Sequence, residues 1–320
     1  MSARYGPPDV VRVTEVAQPR PGQGEVLVAV RVATVNRTDC GLRAGHPFFS
    51  RAFTGLTRPR AAVLGGEFAG VVAEAGPAVT RFRRGQRVFG FAENRYGAHA
   101  EYLVMPEDGA IAEIPPEVSL DDAAASTEAS HYALTNIRAA HLQPGSRVLV
   151  YGATGAIGSA AVQLLKREGA YVTAVCGTRY VDLVRGLEAD RVIDYLTEDF
   201  TRDDQTYDVV FDAVGKTTYG RCRRLLTPRG RYLTTDLGPY AQNPVLQLGT
   251  VLGRGRRVIL PIPRARDRAF VESVGRMMAA GEFRPLLDRR YPLDAIVEAY
   301  RYVDSEQKIG NVLIDLAEPM

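Results

Sequence analysis

Arg147-Val-Leu-Val-Tyr-Gly152-Ala-Thr-Gly155-Ala-Ile-Gly158-Ser-Ala-Ala-Val-Gln-Leu-Leu-Lys166 is the stretch around which the rest of the chain is organised. Its apolar run at 148–151 has the length of a buried strand. Glycines follow at 152, 155 and 158, and the apolar period then changes. Ile157, Ala160, Ala161, Leu164 and Leu165 fall on one face of a helix. A strand, a glycine turn and a helix present backbone N–H groups to a phosphate, and the helix N-terminus adds its partial positive charge. The spacing is G-x-x-G-x-x-G rather than G-x-G-x-x-G, so the strand before and the helix after carry the expectation of a dinucleotide site. Gly152, Thr154, Gly155, Ala156, Ile157 and Gly158 are its expected cofactor-binding residues. A tight turn with no ligand is the plainer alternative.

Working outward, 320 residues suffice for two domains with their own cores. A net charge of +3 is too small to argue for nucleic acid or a membrane surface as partner. Cys40, Cys176 and Cys222 are odd in number and far apart, which suits a reducing compartment better than a disulfide framework. The N-terminal Met-Ser-Ala-Arg-Tyr-Gly-Pro-Pro has no apolar core for a signal peptide. The uncharged run at 148–165 reaches the edge of membrane-span length, but its glycines, Thr154, Ser159 and Gln163 fit the turn and helix better. A cytoplasmic protein is expected.

Residues 1–118 read as strand-dense, with runs at 10–16, 25–35, 63–74, 87–91 and 102–105 separated by Gly and Pro, as in a partly open barrel. Pro115-Pro116 marks a boundary. Ser119 is an expected N-cap, with Asp121 and Asp122 in the first helical turn, and a second helix is expected at 130–140. Beyond the opening stretch, strands at 171–175, 191–194, 207–214, 230–235 and 257–260 alternate with helices at 180–188 and 217–226. That alternation predicts an α/β fold with a doubly wound parallel sheet and a ligand at the carboxyl ends of its strands. Helices at 264–281 and 293–302 and a strand at 311–316 complete the chain. The expected domains are 1–118, 119–263 and a C-terminal segment, 264–320.

The second strand of the sheet ends Val175-Cys176-Gly177-Thr178-Arg179. The acid that accepts from the ribose hydroxyls of NAD is missing there. Gly177 leaves room, Thr178 offers a donor, and Arg179 offers a cation suited to a 2′-phosphate, so NADPH is the expected cofactor.

The residues also resemble a family. Gly152-Ala-Thr-Gly-Ala-Ile-Gly-Ser-Ala-Ala-Val-Gln is similar to the cofactor loop of quinone oxidoreductases in the medium-chain dehydrogenase/reductase superfamily. Leu64-Gly-Gly-Glu-Phe-Ala-Gly-Val-Val, Val35-Asn-Arg-Thr-Asp, Gly97-Ala-His-Ala-Glu-Tyr, Val192-Ile-Asp-Tyr and Phe211-Asp-Ala-Val-Gly resemble further elements, in order, over essentially the whole chain. The resemblance implies a mostly β, GroES-like catalytic domain, completed by the C-terminal segment, and a Rossmann domain, with hydride transfer in the cleft between them. It also implies a homodimer paired through Rossmann edge strands, residues 257–260 being the candidate.

The zinc branch of that superfamily places a Cys, a His and a further Cys or acid on its catalytic metal. Here Asn36 and Gly66 stand at the first two positions, and the third falls near Thr127. Glu67 alone does not make a zinc site, so no metal is expected. Without zinc, the resemblance implies an activated acceptor, a quinone or an α,β-unsaturated carbonyl compound, whose conjugation spreads the incoming charge.

Further site residues follow from the same resemblance. Tyr195 matches a position near the phosphate or adenine, with core packing as the alternative. Val214 and Gly215 pass the ribose. Asn36 matches a cofactor- or substrate-facing asparagine, with turn formation as the alternative. Residues 308–311, with Lys308 and Asn311, match a segment lying over the cofactor. Two places depart from the family. The loop Gly45-His46-Pro47-Phe48-Phe49 lacks the tyrosine found in many relatives. Where relatives have Gly-Leu-Thr-Ala, this chain has Ser126-Thr127-Glu128-Ala129-Ser130-His131-Tyr132-Ala133. Glu128, His131 and Tyr132 lie at helical offsets that put them on one face, which makes an acid–base site or a polar helix cap. The residues leave open a trans-acting enoyl reductase of lipid or polyketide synthesis, and an NADPH-binding protein with a non-redox cyclase, isomerase or regulatory role.

Overall fold

The computed structural model describes residues 1–251, 253 and 255–316; residues 317–320 of the expected C-terminal segment fall outside them. In chain order the strands are β1 (Glu25–Val35), β2 (Glu67–Ala75), β3 (Arg87–Phe91), β4 (Tyr102–Pro106), β5 (Ile111–Glu113), β6 (Arg147–Tyr151) and β7 (Tyr171–Cys176). They continue as β8 (Arg191–Asp194), β9 (Tyr207–Asp212), β10 (Leu226–Thr234), β11 (Arg257–Ile259), β12 (Leu287–Pro292) and β13 (Asn311–Asp315). The chain divides into two units, one made of Met1–Glu128 with Ala265–Met320, the other of Ala129–Arg264.

The second unit holds the sheet β11-β10-β9-β6-β7-β8, with every neighbouring pair parallel. This is the doubly wound order, in which the direction of progression reverses between β6 and β9 and leaves a crevice at the carboxyl ends of those strands. Val148, Leu149 and Val150 are fully buried, as a central parallel strand requires. Helix Ala156–Arg167 follows the glycine turn and buries Ala160, Ala161, Leu164 and Leu165, the face that the apolar period predicts. Lys166 and Arg167 in its last turn complement the helix dipole.

Several expected elements are shorter than the sequence suggested, the helices expected at 180–188 and 264–281 being Val181–Arg185 and Arg268–Ala279. The strand expected at 207–214 stops at Asp212, because the buried Asp212 carboxylate accepts the N–H groups of Val214, Gly215 and Thr217 and turns the chain. The helix expected at 217–226 is a single turn, Tyr219–Cys222, continued by a 3-10 turn, Arg223–Leu225. Helix Gln242–Val251 carries no clear apolar stripe in sequence, and its Val245 and Leu248 are 72% and 74% exposed.

The first unit holds the sheet β12-β13-β1-β2-β3-β5, with β4 on β1. The long strand β1 pairs with β2 through register shifts at Leu27/Val28 and Val30/Val32, with β4 over residues 25–29 and with β13 over residues 32–35. Its core gathers Val26, Val28, Val30, Phe68, Val72, Ile111, Ile296 and Tyr300. Each such side chain contributes about 1.5–3 kcal/mol by leaving water. The strand expected at 10–16 does not form. Val13 and Val16 are half-exposed, and the segment makes one isolated bridge, Ser2 to Val11, before Pro19 and Pro21. Among the described residues no helix is long and apolar enough to cross a membrane.

Candidate functional site

In the second unit the glycine turn sits at the crevice. Gly152 adopts φ +84°, open to glycine, and a Cβ there would meet the Val214 side chain at 2.6 Å. Gly155 is the N-cap of helix Ala156–Arg167, and the N–H groups of Ala156, Ile157 and Gly158 belong to the first turn, which has no intrahelical acceptors for them. That turn carries no acidic side chain. Val214 lies against this turn, 3.7 Å from where a Cβ on Gly155 would stand, and the Gly215 N–H after it donates to Asp212 at 2.9 Å.

At the end of β7 the structure brings Gly177, Thr178 and Tyr195 together. A Cβ on Gly177 would lie 3.3 Å from the Tyr195 hydroxyl. Tyr195 is 50% exposed and lines a cleft of about 350 Å³ with Tyr151, Phe200 and Arg221, so it does not pack in the core. Tyr151 stacks on Phe200 at 4.8 Å. Arg179 is exposed and lies over the Tyr180 ring. Thr178 donates its hydroxyl to Asp194 at 2.5 Å, a bond that holds the Asp194 carboxyl below its ordinary range. The sequence did not show this pair, because Asp194 closes a different strand.

The first unit holds a buried cluster of carboxyl groups where Asn36, Gly66 and Thr127 were expected to mark a lost metal site. β1 ends at Val35, and Asn36 caps helix Arg37–Ala44, its backbone N–H donating to the Asp39 carboxylate at 2.9 Å. The Asn36 amide nitrogen donates to Thr34 Oγ1 at 3.2 Å and to Glu67 Oε2 at 2.8 Å, so both amide protons are used within the unit. Glu67, at the start of β2, is 1% exposed and accepts four hydrogen bonds. Thr34 Oγ1 (2.8 Å) and the Asn36 amide serve Oε2; Thr127 Oγ1 (2.9 Å) and the Glu128 N–H (2.7 Å) serve Oε1. Burial pushes the Glu67 carboxyl up to about 7, the Glu128 charge adds to this, and the hydrogen bonds oppose it. Asp39 is raised well above the ordinary carboxylate range by burial and then by Glu128.

Glu128, in the first turn of helix Thr127–Ala140, is buried and accepts the Thr38 hydroxyl at Oε1. Lys308 is half-buried, donates to the Gly310 carbonyl, and has its ammonium form disfavoured by burial, with Glu128, Asp288 and Glu67 opposing that shift. Asn311 is fully buried with its amide on the Leu286 carbonyl at 3.1 Å, which fixes the turn into β13. His131 and Tyr132 share the helix with Glu128; His131 is buried and its ring stands edge-on to Tyr132 at 6.1 Å. Cys40 is a buried free thiol.

This donor set does not suit zinc. Gly66 has no side chain, and a Cβ there would strike the Phe91 ring at 2.6 Å. Each Glu67 oxygen already takes two donors. Among the described residues no group of three or more His, Cys, Asp or Glu side chains could hold a metal ion.

Residues 22–116 match the alcohol dehydrogenase GroES-like domain, and residues 187–314 match a domain described as zinc-binding dehydrogenase. A chloroplastic quinone-oxidoreductase homolog of Spinacia oleracea is 30% identical over 97% of this chain and 95% of its own. The chain belongs to the quinone-oxidoreductase branch of the medium-chain dehydrogenase/reductase superfamily. It is therefore an oxidoreductase, built from the GroES-like and Rossmann units that the sequence motifs implied. A trans-enoyl reductase of Aspergillus terreus is 30% identical over 93% of this chain and 88% of its own. The quinone oxidoreductase structure from Coxiella burnetii superposes with a TM-score of 0.85 at 22% identity, covering 99% of this chain and 98% of that one, a likeness of fold.

Proposed function

We propose that the protein reduces quinones or α,β-unsaturated carbonyl compounds with NADPH and without zinc. The observation that carries this reading is Glu67, a carboxylate enclosed by four donors where the metal of the superfamily's zinc branch would need open ligands. The spinach relative, by its name, supports the quinone side. A conjugated acceptor takes up negative charge without a Lewis acid.

A reduced nicotinamide, when bound, supplies the hydride. The N–H groups of Ala156, Ile157 and Gly158 hold its pyrophosphate, with Gly152, Thr154 and Gly155 shaping the turn. Val214 and Gly215 border the ribose. Gly177 leaves room for the adenosine ribose, Arg179 neutralises a 2′-phosphate, and Tyr195 flanks it. Asn36 orders helix Arg37–Ala44 and Glu67, since its amide protons are already used. Asn311 holds the turn into β13, and Lys308 sets the charge of the carboxyl cluster. Exposed Val245 and Leu248 in the second unit, with the edge strand β11, support a homodimer. The three buried free cysteines suit a reducing cytoplasm.

A second reading, a trans-acting enoyl reductase, is supported by the likeness to the Aspergillus terreus enzyme. One assay tests both. Chelator-treated protein is given NADPH or NADH with a quinone, an enone or an enoyl thioester, and nicotinamide oxidation is followed by absorbance. Oxidation of NADPH in preference to NADH, with a quinone or enone and undiminished by chelation, is expected. Turnover confined to the thioester favours the second reading, and chelator-sensitive turnover overturns the zinc-free one.

A further inference from the structure

Between Cys40 and Gly66 the chain carries Arg43, Arg51, Arg58 and Arg60 and no acid. Arg43 is buried and pairs with Asp304. Arg58 and Arg60 are exposed, and among the described residues neither forms an ion pair. The same stretch turns two large apolar side chains to solvent, Phe48 and Leu56, 72% and 73% exposed.

These residues form one patch on the first unit. The Arg51 guanidinium lies over the Phe48 ring at 5.0 Å and over the Tyr5 ring at 4.6 Å. The Tyr5 hydroxyl meets Thr54 Oγ1 at 2.8 Å and the Gly55 carbonyl at 2.7 Å. Leu56 follows directly. The Arg60 N–H donates to the Thr54 carbonyl at 2.7 Å and closes a short loop. Gly55 takes φ +120°, and a Cβ there would lie 2.0 Å from the Arg58 carbonyl oxygen, so the turn is tight. The Ser2 N–H, on the Ala62 carbonyl at 2.7 Å, holds the N-terminal segment alongside, with exposed Arg4 between the anchors at Ser2 and Tyr5. The loop is thus tied down within the first unit, while its tip, Leu56-Thr57-Arg58, stays exposed. The acids closest in sequence do not neutralise the patch: Asp39 is buried, and Asp9 pairs with Arg301.

We infer that this loop docks the first unit on an anionic lipid surface. Phe48 and Leu56 enter the boundary between head groups and acyl chains, and Arg4, Arg51, Arg58 and Arg60 meet the phosphates. Four cations with no acid among them call for an anionic partner. A bilayer fits better than an acidic protein, because the apolar side chains stand on a loop tip instead of lining a groove. Guanidinium groups beside them match phosphate oxygens in pairs. The whole-chain charge of +3 hides this local excess. The contact is peripheral, needing a loop tip and no spanning helix. It goes beyond the reductase reading and does not depend on it.

The chain has no tryptophan, so Leu56→Trp puts a single indole at the loop tip. Vesicles of equimolar phosphatidylcholine and phosphatidylglycerol are expected to shift its emission to the blue, and phosphatidylcholine alone to leave it unchanged. Val16→Trp, at an exposed position outside the loop, is expected to show no shift with either. In cosedimentation, wild type is expected to bind the anionic vesicles and to lose affinity as salt rises. Arg58→Ala combined with Arg60→Ala is expected to lower the partition coefficient by at least about tenfold. Phe48→Ser combined with Leu56→Ser is expected to lower it also at high salt, where the arginines are screened. Each variant alters only exposed side chains; should Leu56→Trp fail to fold, Phe48→Trp carries the same reporter. A wild type that ignores anionic vesicles, an equal shift from Val16→Trp, or unchanged binding in the arginine pair overturns the assignment. Retention on an immobilised acidic carrier domain without vesicle binding gives the patch to a protein partner and overturns the lipid surface. None of these readouts involves turnover, so their failure leaves the reductase reading untouched.

Discussion

Gly158 packs so closely on Gly152 that an added Cβ would lie 2.1 Å from the Gly152 carbonyl oxygen. That neighbour is backbone and cannot rotate away, so Gly158→Ala must open the turn between β6 and its helix. It is expected to destabilise the protein by about 2 kcal/mol or more and to abolish nucleotide binding. At Gly155 the same addition meets nothing nearer than 3.5 Å, at an ordinary φ of −71°. Gly155→Ala is therefore expected to keep wild-type stability within about 0.5 kcal/mol. Thermal unfolding and a nucleotide titration of the two variants check the contrast.

The Glu67 carboxyl gives unit 1 a distinctive dependence on pH. Its folded value, about 7, lies above the ordinary 4.5, so the folded state binds this proton more tightly than the unfolded chain. Stability from this group is fully present below 4.5 and is lost as pH rises towards 7, by at most about 1.4 kcal/mol per pH unit. His99 acts in the opposite direction: burial lowers it to about 4, so its contribution is lost as pH falls from 6.5 towards 4. Denaturant unfolding of wild type and Glu67→Gln across that range separates the two. The difference between them is expected to shrink as pH rises through the window.

Asn36→Ala tests whether that asparagine is a structural donor. It would leave Glu67 Oε2 and Thr34 Oγ1 each short of a hydrogen bond in a buried place. A loss of about 1–3 kcal/mol is expected from urea unfolding.

Asp194 places a carboxylate beside Thr178, at the expected edge of the 2′-phosphate position. Asp194→Asn removes that charge, and NADPH affinity is expected to rise roughly two- to tenfold, with NADH unaffected. Arg179→Ala is expected to weaken NADPH by about tenfold and again to spare NADH. Fluorescence titration with both nucleotides distinguishes these effects.

Leu248 is 74% exposed on helix Gln242–Val251. If that face pairs with its copy, Leu248→Glu converts a dimer to a folded monomer, seen by size-exclusion chromatography with light scattering. An unchanged mass in the variant counts against pairing at this face.

The doubly wound sheet was legible because its strands are buried on both faces and read as unbroken apolar runs, Val148-Leu149-Val150 being the clearest. Helix Ala156–Arg167 was legible from its period. The false strand at 10–16 had the right residues but no partner, which composition cannot reveal. The glycine turn was visible because it is contiguous. The carboxyl cluster was not, since Thr38, Glu67, Glu128 and Lys308 come from four separated segments. Glu67 and Glu128 each attracted notice singly, but only folding puts the Glu128 N–H on Glu67 and the Thr38 hydroxyl on Glu128.

The last strand, β13, pairs antiparallel with the first, matching Val32 to Asp315 and Val35 to Val312 beside the Asn36 cap. Every residue of the Rossmann unit is therefore synthesised before the GroES-like unit receives its closing strand. Until β13 has been synthesised and has docked, the end of β1 keeps an open edge of valine-rich backbone. A premature stop shortly before Asn311 would leave a nascent chain whose Rossmann unit is complete and whose first strand is a template for aggregation.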